Sequence, residues 1–201
     1  MFYFFPQIIP KKKCKSFINR YLKKYKGKME EAATGSKAGR RSIYDESYRK
    51  SDVVFLEQED EMYSIVSHYI NEANDLFFKY NIKYIEPTQF ARYKCGGHYI
   101  WHQDFSPTLN GESRKLSLTM NLSDPDTYEG GRLEFFSGKD DGGYDTVTID
   151  GVTLSMEQVR ESVAKQGSVI IFDSRDWHRI TPITKGIRYS IVCWTVGPDL
   201  V

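Results

Sequence analysis

Apolar residues recur at three- and four-residue steps in two early stretches of the chain. Over residues 11–26 the apolar side chains share one face and the lysines lie on the other, which predicts an amphipathic helix. A longer apolar stripe over residues 57–80 predicts a second helix that packs on a sheet. Residues 27–42 are small, polar and glycine-containing, so we expect a loop between the two helices.

From residue 82 onward the pattern changes to short β-type runs separated by turn signals. The runs predict strands at 82–92, 98–102, 115–122, 132–136, 145–149, 152–155, 168–172 and 187–196. Asp150-Gly151 is typical of a two-residue hairpin turn, and residues 155–165 predict a short third helix. This order favours a mainly β fold in which N-terminal helices pack on a β-sandwich or open barrel. We expect one structural domain, with an N-terminal helical preface over 1–81 and a β core over 82–201.

Composition narrows the class of protein. A chain of 201 residues with 40% hydrophobic and 14% aromatic residues is neither disordered nor fibrous. No apolar run approaches the ~18 residues of a membrane-spanning helix, and basic residues follow the apolar opening at 1–9, the reverse of a secretory signal. Three cysteines without CxxC spacing predict neither a disulfide framework nor a thiolate zinc site. We therefore expect a cytoplasmic protein with no membrane partner.

A net charge of +1 conceals a basic beginning of the chain. Residues 1–50 hold 14 Lys and Arg against 4 Asp and Glu, whereas residues 51–201 hold 14 against 23. Such a segment could meet nucleic acid or another acidic partner. The lysines lie opposite the apolar stripe of the first predicted helix, so a solvated helix face is the simpler interpretation.

One pair of residues suggests metal chemistry. His102 and Asp104 stand two positions apart at the end of a predicted strand, where such side chains point to the same side. His178 follows another apolar strand and could supply a third ligand. Two histidines and one carboxylate are the ligand set of non-haem Fe(II) oxygenases. Arg188, on an otherwise apolar strand, would need an anion if it pointed inward, and a carboxylate fits its guanidinium.

Three segments together resemble the Fe(II)/2-oxoglutarate-dependent dioxygenases, in particular the prolyl 4-hydroxylase-like branch and its bacterial PKHD-type hydroxylase relatives. They are Tyr93-x-x-Gly96-x-x-Tyr99-x-x-His102-x-Asp104, residues 116–135 with a Gly-Gly pair, and residues 167–194. The likeness is clear over 90–197 and weaker over 49–56 and the helix that follows. It implies that residues 82–201 form a double-stranded β-helix, a distorted jelly roll with helices packed on one sheet.

The resemblance also implies roles for individual residues. His102, Asp104 and His178 match the iron ligands of the family. Arg188 matches the residue that holds the distal carboxylate of 2-oxoglutarate. Further matches concern the cosubstrate and the pocket wall: Tyr93 and Asn121 for the cosubstrate, Tyr99 and Trp194 for the wall. The implied cofactors are Fe(II), the cosubstrate 2-oxoglutarate and O2, with ascorbate as a candidate reductant.

The implied activity is a hydroxylase that converts 2-oxoglutarate to succinate and CO2. By analogy with procollagen-proline 4-dioxygenases, the expected substrate is a peptidyl proline, so a peptide or protein is the expected partner. A free amino acid or small metabolite remains an alternative. An AlkB-like nucleic-acid demethylase is disfavoured, because those enzymes typically carry a second arginine where Trp194 stands. A catalytically silent binding module is disfavoured by the presence of all three ligands and Arg188. The sequence predicts no oligomeric state.

Overall fold

The computed structural model describes residues 2–32, 45–107, 111–136, 146–149 and 152–199. The loop expected at 27–42 lies outside the described residues from position 33, as does the turn at 150–151. The elements in chain order are β1 (Phe2–Phe5), α1 (Lys11–Lys24), β2 (Glu30–Glu31), β3 (Arg49–Lys50), β4 (Asp52–Phe55), α2 (Glu61–Ala73), β5 (Tyr84–Ile85), β6 (Gln89–Tyr93), β7 (His98–His102), β8 (Glu112–Asn121), β9 (Tyr128–Gly130), β10 (Leu133–Phe135), β11 (Thr146–Ile149), β12 (Val152–Ser155), α3 (Met156–Ala164), β13 (Val169–Asp173), β14 (His178–Ile180), β15 (Ile183–Gly186) and β16 (Arg188–Pro198).

Two antiparallel sheets form the body of the fold. The larger has the order β1-β13-β8-β16-β6-β4-β2, with β5 also paired to β16, and the smaller has the order β10-β14-β7-β3. Side chains from both sheets line one central pocket, so the sheets face each other. The predicted fold class, a distorted jelly roll with helices on one sheet, is confirmed.

The helices α1 and α2 cover the outer surface of the larger sheet. Phe17 and Tyr21 of α1 are buried, and the ring of Tyr21 lies 5.2 Å from that of Phe90 on β6, centroid to centroid. The helix α2 packs against β13 and β8. This arrangement buries the apolar helix stripes on one side of the sheet and leaves its other side to build the pocket. None of the described helices is long and apolar enough to cross a membrane.

The second predicted helix is shorter than its apolar stripe. The side chain of Asp60 accepts a hydrogen bond from the Met62 N–H at 2.9 Å, which caps α2 and sets its start after the predicted position 57. After Ala73 the chain forms one π-helical turn, Asn74–Phe78. Lys79 then adopts a left-handed conformation with φ of 59°, which ends the helical path before residue 80.

The N-terminal part of the chain supplies strands as well as helices. Phe2 of β1 lies opposite Phe172 of β13, Arg49 of β3 opposite Tyr99 of β7, and Asp52 of β4 opposite Arg92 of β6. In the described residues, the N-terminal preface therefore combines the predicted helices with four short strands, β1 to β4. These strands have two to four residues, too few for a period-2 pattern to stand out.

Most of the predicted strands are present, with corrected limits. The predicted strand 82–92 is two strands, β5 and β6, because Pro87 has no N–H to continue a ladder. The predicted strands 115–122 and 187–196 extend to Glu112–Asn121 and Arg188–Pro198. The short strands β9, β14 and β15 were not predicted. The predicted third helix is α3, which begins with a reciprocal capping box between Ser155 and Gln158.

Candidate functional site

The smaller sheet brings the three predicted ligands together. His102 ends β7, His178 begins β14, and the two residues lie directly opposite each other in the ladder. His102 Nε2 is 3.7 Å from Asp104 Oδ1, and His178 Nε2 is 3.4 Å from Asp104 Oδ2. One donor atom from each residue lies within 4.8 Å of the other two. Two imidazoles and one carboxylate thus converge on a single point.

Hydrogen bonds to the backbone fix both histidine rings. His102 Nδ1 is 2.8 Å from the carbonyl oxygen of Ile100, and His178 Nδ1 is 2.9 Å from that of Asp176. A carbonyl oxygen can only accept, so each Nδ1 carries the proton and donates it. In a neutral ring the lone pair then lies on Nε2, the atom that faces Asp104 in both histidines, which is how a metal-binding histidine is prepared.

The charge states of His102 and Asp104 also suit a metal ion. Burial, with a further contribution from His178, lowers the pKa of His102 to about 3, so its ring is neutral near pH 7. Burial alone would raise the pKa of Asp104, but the neighbouring His178 and His102 hold it well below its usual range. The three clustered side chains are 4–9% exposed. A buried set of two imidazoles and one carboxylate fits Fe(II).

Aromatic side chains hold the two imidazoles in place. The Tyr99 ring stacks on His102 with a centroid distance of 3.4 Å and an interplanar angle of 13°. The Phe172 ring meets His178 edge-on at 4.6 Å. Tyr99 and Trp194 both line the pocket around these three side chains. This packing restricts rotation of the histidine rings.

Arg188 lines the same pocket and has no acidic partner among the described residues. It is 4% exposed, and its Nη1 donates to Ser190 Oγ at 3.4 Å. No carboxylate of the described residues forms an ion pair with it. An unpaired buried charge costs several kcal/mol, so the pocket is built to receive an anion at this point. The guanidinium offers a planar fork that matches a carboxylate.

The two other predicted cosubstrate residues differ in their surroundings. Tyr93 lies opposite Arg188 in the ladder, with its ring centroid 5.8 Å from the guanidinium carbon. Asn121 borders an adjoining cavity of about 310 Å³, which Arg188 also lines. The Asn121 amide donates to the carbonyl of Ala164 at 2.5 Å and to that of Ser123 at 3.1 Å. Asn121 therefore anchors the end of α3, and its contact with a cosubstrate stays a prediction.

Arg49 is a pocket residue that the sequence analysis missed. Its guanidinium lies over the Tyr99 ring at 4.7 Å and donates to Ser51 Oγ at 2.9 Å and Gln89 Oε1 at 3.1 Å. The pairing of β3 with β7 brings it to the site from about fifty positions before His102. In the sequence, Arg49 stands three positions before β4, and nothing next to it indicates this pairing.

Arg114, also missed, connects the pocket wall to one metal ligand. Its guanidinium makes a two-pronged ion pair with Glu86, with a shortest distance of 2.6 Å. It also lies over the Trp194 ring at 4.1 Å and donates to the backbone carbonyl of Asp104 at 3.5 Å. One arginine thus supports both the indole and the loop that carries the carboxylate.

Comparison with known proteins agrees with this geometry. The family model of the 2OG-Fe(II) oxygenase superfamily matches residues 88–196. A PKHD-type hydroxylase of Thermosynechococcus vestitus is 34% identical over 146 residues, which cover 69% of this chain and 57% of the relative. One of Synechococcus sp. is 34% identical over 104 residues, covering 52% and 39%. The chain thus spans about half the length of these curated relatives.

Solved structures share the fold at low sequence identity. A prolyl-4-hydroxylase of Pseudomonas putida superposes with a TM-score of 0.66 at 16% identity, covering 100% of this chain and 93% of that one. A prolyl hydroxylase of Trichoplax adhaerens, in complex with a hypoxia inducible factor peptide fragment, gives a TM-score of 0.67 at 18% identity, covering 96% and 82%.

Proposed function

Because this chain belongs to the 2OG-Fe(II) oxygenase superfamily, we propose that it hydroxylates a prolyl residue of a peptide or protein. The family uses Fe(II), 2-oxoglutarate and O2. The observation that carries the proposal is the pairing of a buried two-histidine, one-carboxylate cluster with the unpaired cation Arg188 in one pocket. A metal-binding cluster alone would not need that arginine, whereas a dicarboxylate cosubstrate would.

The three clustered side chains would hold the metal. The Nε2 atoms of His102 and His178 would bind with their lone pairs, while their Nδ1–H groups donate to backbone carbonyls. The Asp104 carboxylate supplies the third ligand and a compensating negative charge. When bound, Fe(II) together with 2-oxoglutarate and O2 supplies the oxidation of a substrate C–H bond, with release of succinate and CO2.

Arg188 would orient the cosubstrate. The guanidinium of Arg188 would donate two hydrogen bonds to the distal carboxylate, and the Tyr93 hydroxyl lies beside it as a further donor. Leu118, Leu133 and Val192 line the same pocket. An apolar wall there excludes water, which strengthens the contact between guanidinium and carboxylate.

Exposed aromatic side chains flank the ligands and support a polypeptide substrate. Phe105, directly after Asp104, is 42% exposed, and Trp177, directly before His178, is 47% exposed. Phe136 is also exposed and donates its N–H to the Trp177 carbonyl. Large apolar side chains left in water mark a contact surface, and aromatic rings are suited to pack on a proline ring. Neighbours of the same fold are prolyl hydroxylases by name, one of them bound to a peptide.

The test is succinate formation from 2-oxoglutarate with Fe(II) and ascorbate, with and without a panel of proline-rich peptides. We expect a peptide of the panel to stimulate turnover and to gain one oxygen atom by mass spectrometry. His178→Ala should abolish both, whereas His98→Gln, which changes a histidine outside the pocket, should retain them. Succinate formation that no peptide stimulates, but a free amino acid does, would contradict the peptidyl-proline substrate.

A further inference from the structure

Lys115 is a third buried cation without an acidic partner among the described residues. It lies on β8 with 5% of its surface exposed, and its Nζ donates to Ser113 Oγ at 3.0 Å. No carboxylate in this part of the chain forms an ion pair with it. A hydroxyl group does not neutralise a buried ammonium, so the folded chain carries an uncompensated charge at this position.

The carboxylates nearest along the surrounding elements are already engaged. Asp173 is paired with Arg175 at 2.6 Å and hydrogen-bonded to Tyr80. Glu112, three positions before Lys115 on the same strand, is paired with Lys83 at 2.6 Å. Asp199 remains, an exposed residue that lines the same cavity as Lys115 without reaching ion-pair distance.

The cavity that Lys115 lines adjoins the proposed metal site. It has a volume of about 320 Å³, and its wall includes Phe105 and Pro107, from the segment that follows Asp104. The Phe105 N–H donates to the Ser174 carbonyl at 2.8 Å, which fixes this wall. Arg114 lines the cavity too and lies on Trp194, a wall of the metal pocket. The Lys115 cavity and the metal pocket therefore share one wall.

We propose that this cavity is a subsite for a carboxylate group of the substrate, which pairs with the Lys115 ammonium. The proposal rests on the proposed hydroxylase function for the identity of the molecule that carries the carboxylate. An extended polypeptide that runs from the metal site along Phe105 to Pro107 would pass this cavity and Lys115. The carboxylate belongs to an acidic side chain or to a chain terminus, and the two sources have the same chemistry.

Calorimetric titration tests the subsite directly. The protein is loaded with Mn(II) in place of Fe(II) and with saturating 2-oxoglutarate, so that Arg188 is already occupied. The probes are N-acetylglutamate α-amide for a side-chain carboxylate, N-acetylglycylglycine for a terminal one, and neutral N-acetylglutamine α-amide as the matched control. We expect at least one acidic probe to bind at least tenfold more tightly than the neutral one. The tighter acidic probe identifies the source of the carboxylate.

Three variants assign the binding to Lys115. Lys115→Met and Lys115→Gln should each lower the affinity for the acidic probe to the affinity measured for the neutral probe. Asp199→Asn should strengthen the acidic probe, because it removes a competing carboxylate from the cavity. Retained 2-oxoglutarate binding in each variant verifies that it is folded. The proposal is wrong if the acidic probes bind no better than the neutral one, or if both Lys115 variants bind them as the parent does.

The outcome is separable from that of the proposed function. If the protein forms no succinate but Lys115 still selects the acidic probe, the subsite stands and the hydroxylase proposal fails. If succinate forms and the acidic probes show no preference, the hydroxylase proposal stands and the subsite fails.

Discussion

Replacing Arg188 with methionine should change stability and cosubstrate affinity in opposite directions. Methionine fills much of the space of the arginine stem but removes the charge. The parent side chain is 4% exposed and has one long hydrogen bond, to Ser190, with no carboxylate partner among the described residues. Removing a buried charge in favour of an apolar side chain is often neutral or stabilising by about 1–4 kcal/mol. We therefore expect the metal-free variant to unfold at a higher urea concentration than the parent.

The affinity for 2-oxoglutarate should fall in the same variant. Truncating one partner of a buried, hydrogen-bonded charge pair costs about 2–5 kcal/mol. A loss of about 3 kcal/mol corresponds to roughly 150-fold weaker binding. Arg188→Lys is the matched control, because it keeps the charge but loses the fork. It should bind the cosubstrate with intermediate affinity and gain no stability.

Two measurements decide the matter: urea denaturation of the metal-free proteins, and calorimetric titration of 2-oxoglutarate into the Mn(II)-loaded ones. The reasoning would be refuted by an Arg188→Met protein that is destabilised yet binds 2-oxoglutarate like the parent. Arg188 would then be a structural cation, held by Ser190 and by the ring of Tyr93.

Two further predictions concern other parts of the molecule. Glu86→Gln removes the ion-pair partner of Arg114, which supports the loop of Asp104, so the affinity for Mn(II) should fall roughly tenfold. Glu112→Gln breaks the ion pair with Lys83 and is the control, because it should leave the Mn(II) affinity unchanged. Burial raises the pKa of Cys14 to about 11 and that of Cys193 to about 12, so neither thiol forms thiolate near pH 8. The third cysteine, Cys95, is exposed to solvent. Iodoacetamide at about pH 8 should label one thiol in the native protein and three in urea; fast labelling of two or more native thiols would contradict the burial.

The pattern of apolar and polar residues within a single strand was enough to predict the site residues that this strand carries. His102 and Asp104 could be placed side by side from the period-2 geometry of a strand end, since this depends on neighbouring residues alone. Arg188 could be predicted to point inward because the predicted strand that carries it, 187–196, is otherwise apolar. These inferences needed no knowledge of which strands pair.

Pairing between distant strands was beyond the sequence. The ladder that sets His178 opposite His102 joins strands about seventy-five positions apart, and β14, which has three residues, gives no pattern of its own. Arg49 reaches the pocket through a two-residue strand for the same reason. Asn121 shows a different limit: its amide is held by the end of α3, a contact that a strand pattern does not report.

The distribution of buried charge connects the proposed site with the subsite. The described interior holds three cations without acidic partners, Arg49, Lys115 and Arg188, and one anionic metal ligand, Asp104. A divalent metal and a doubly charged cosubstrate, together with Asp104 and Arg188, sum to zero. Arg49 is partly compensated by Gln89, Ser51 and the Tyr99 ring, which leaves Lys115 as the cation with the weakest compensation. A substrate that carries a carboxylate would remove this last imbalance, so the loaded site should select an anionic polypeptide over a neutral one of the same shape.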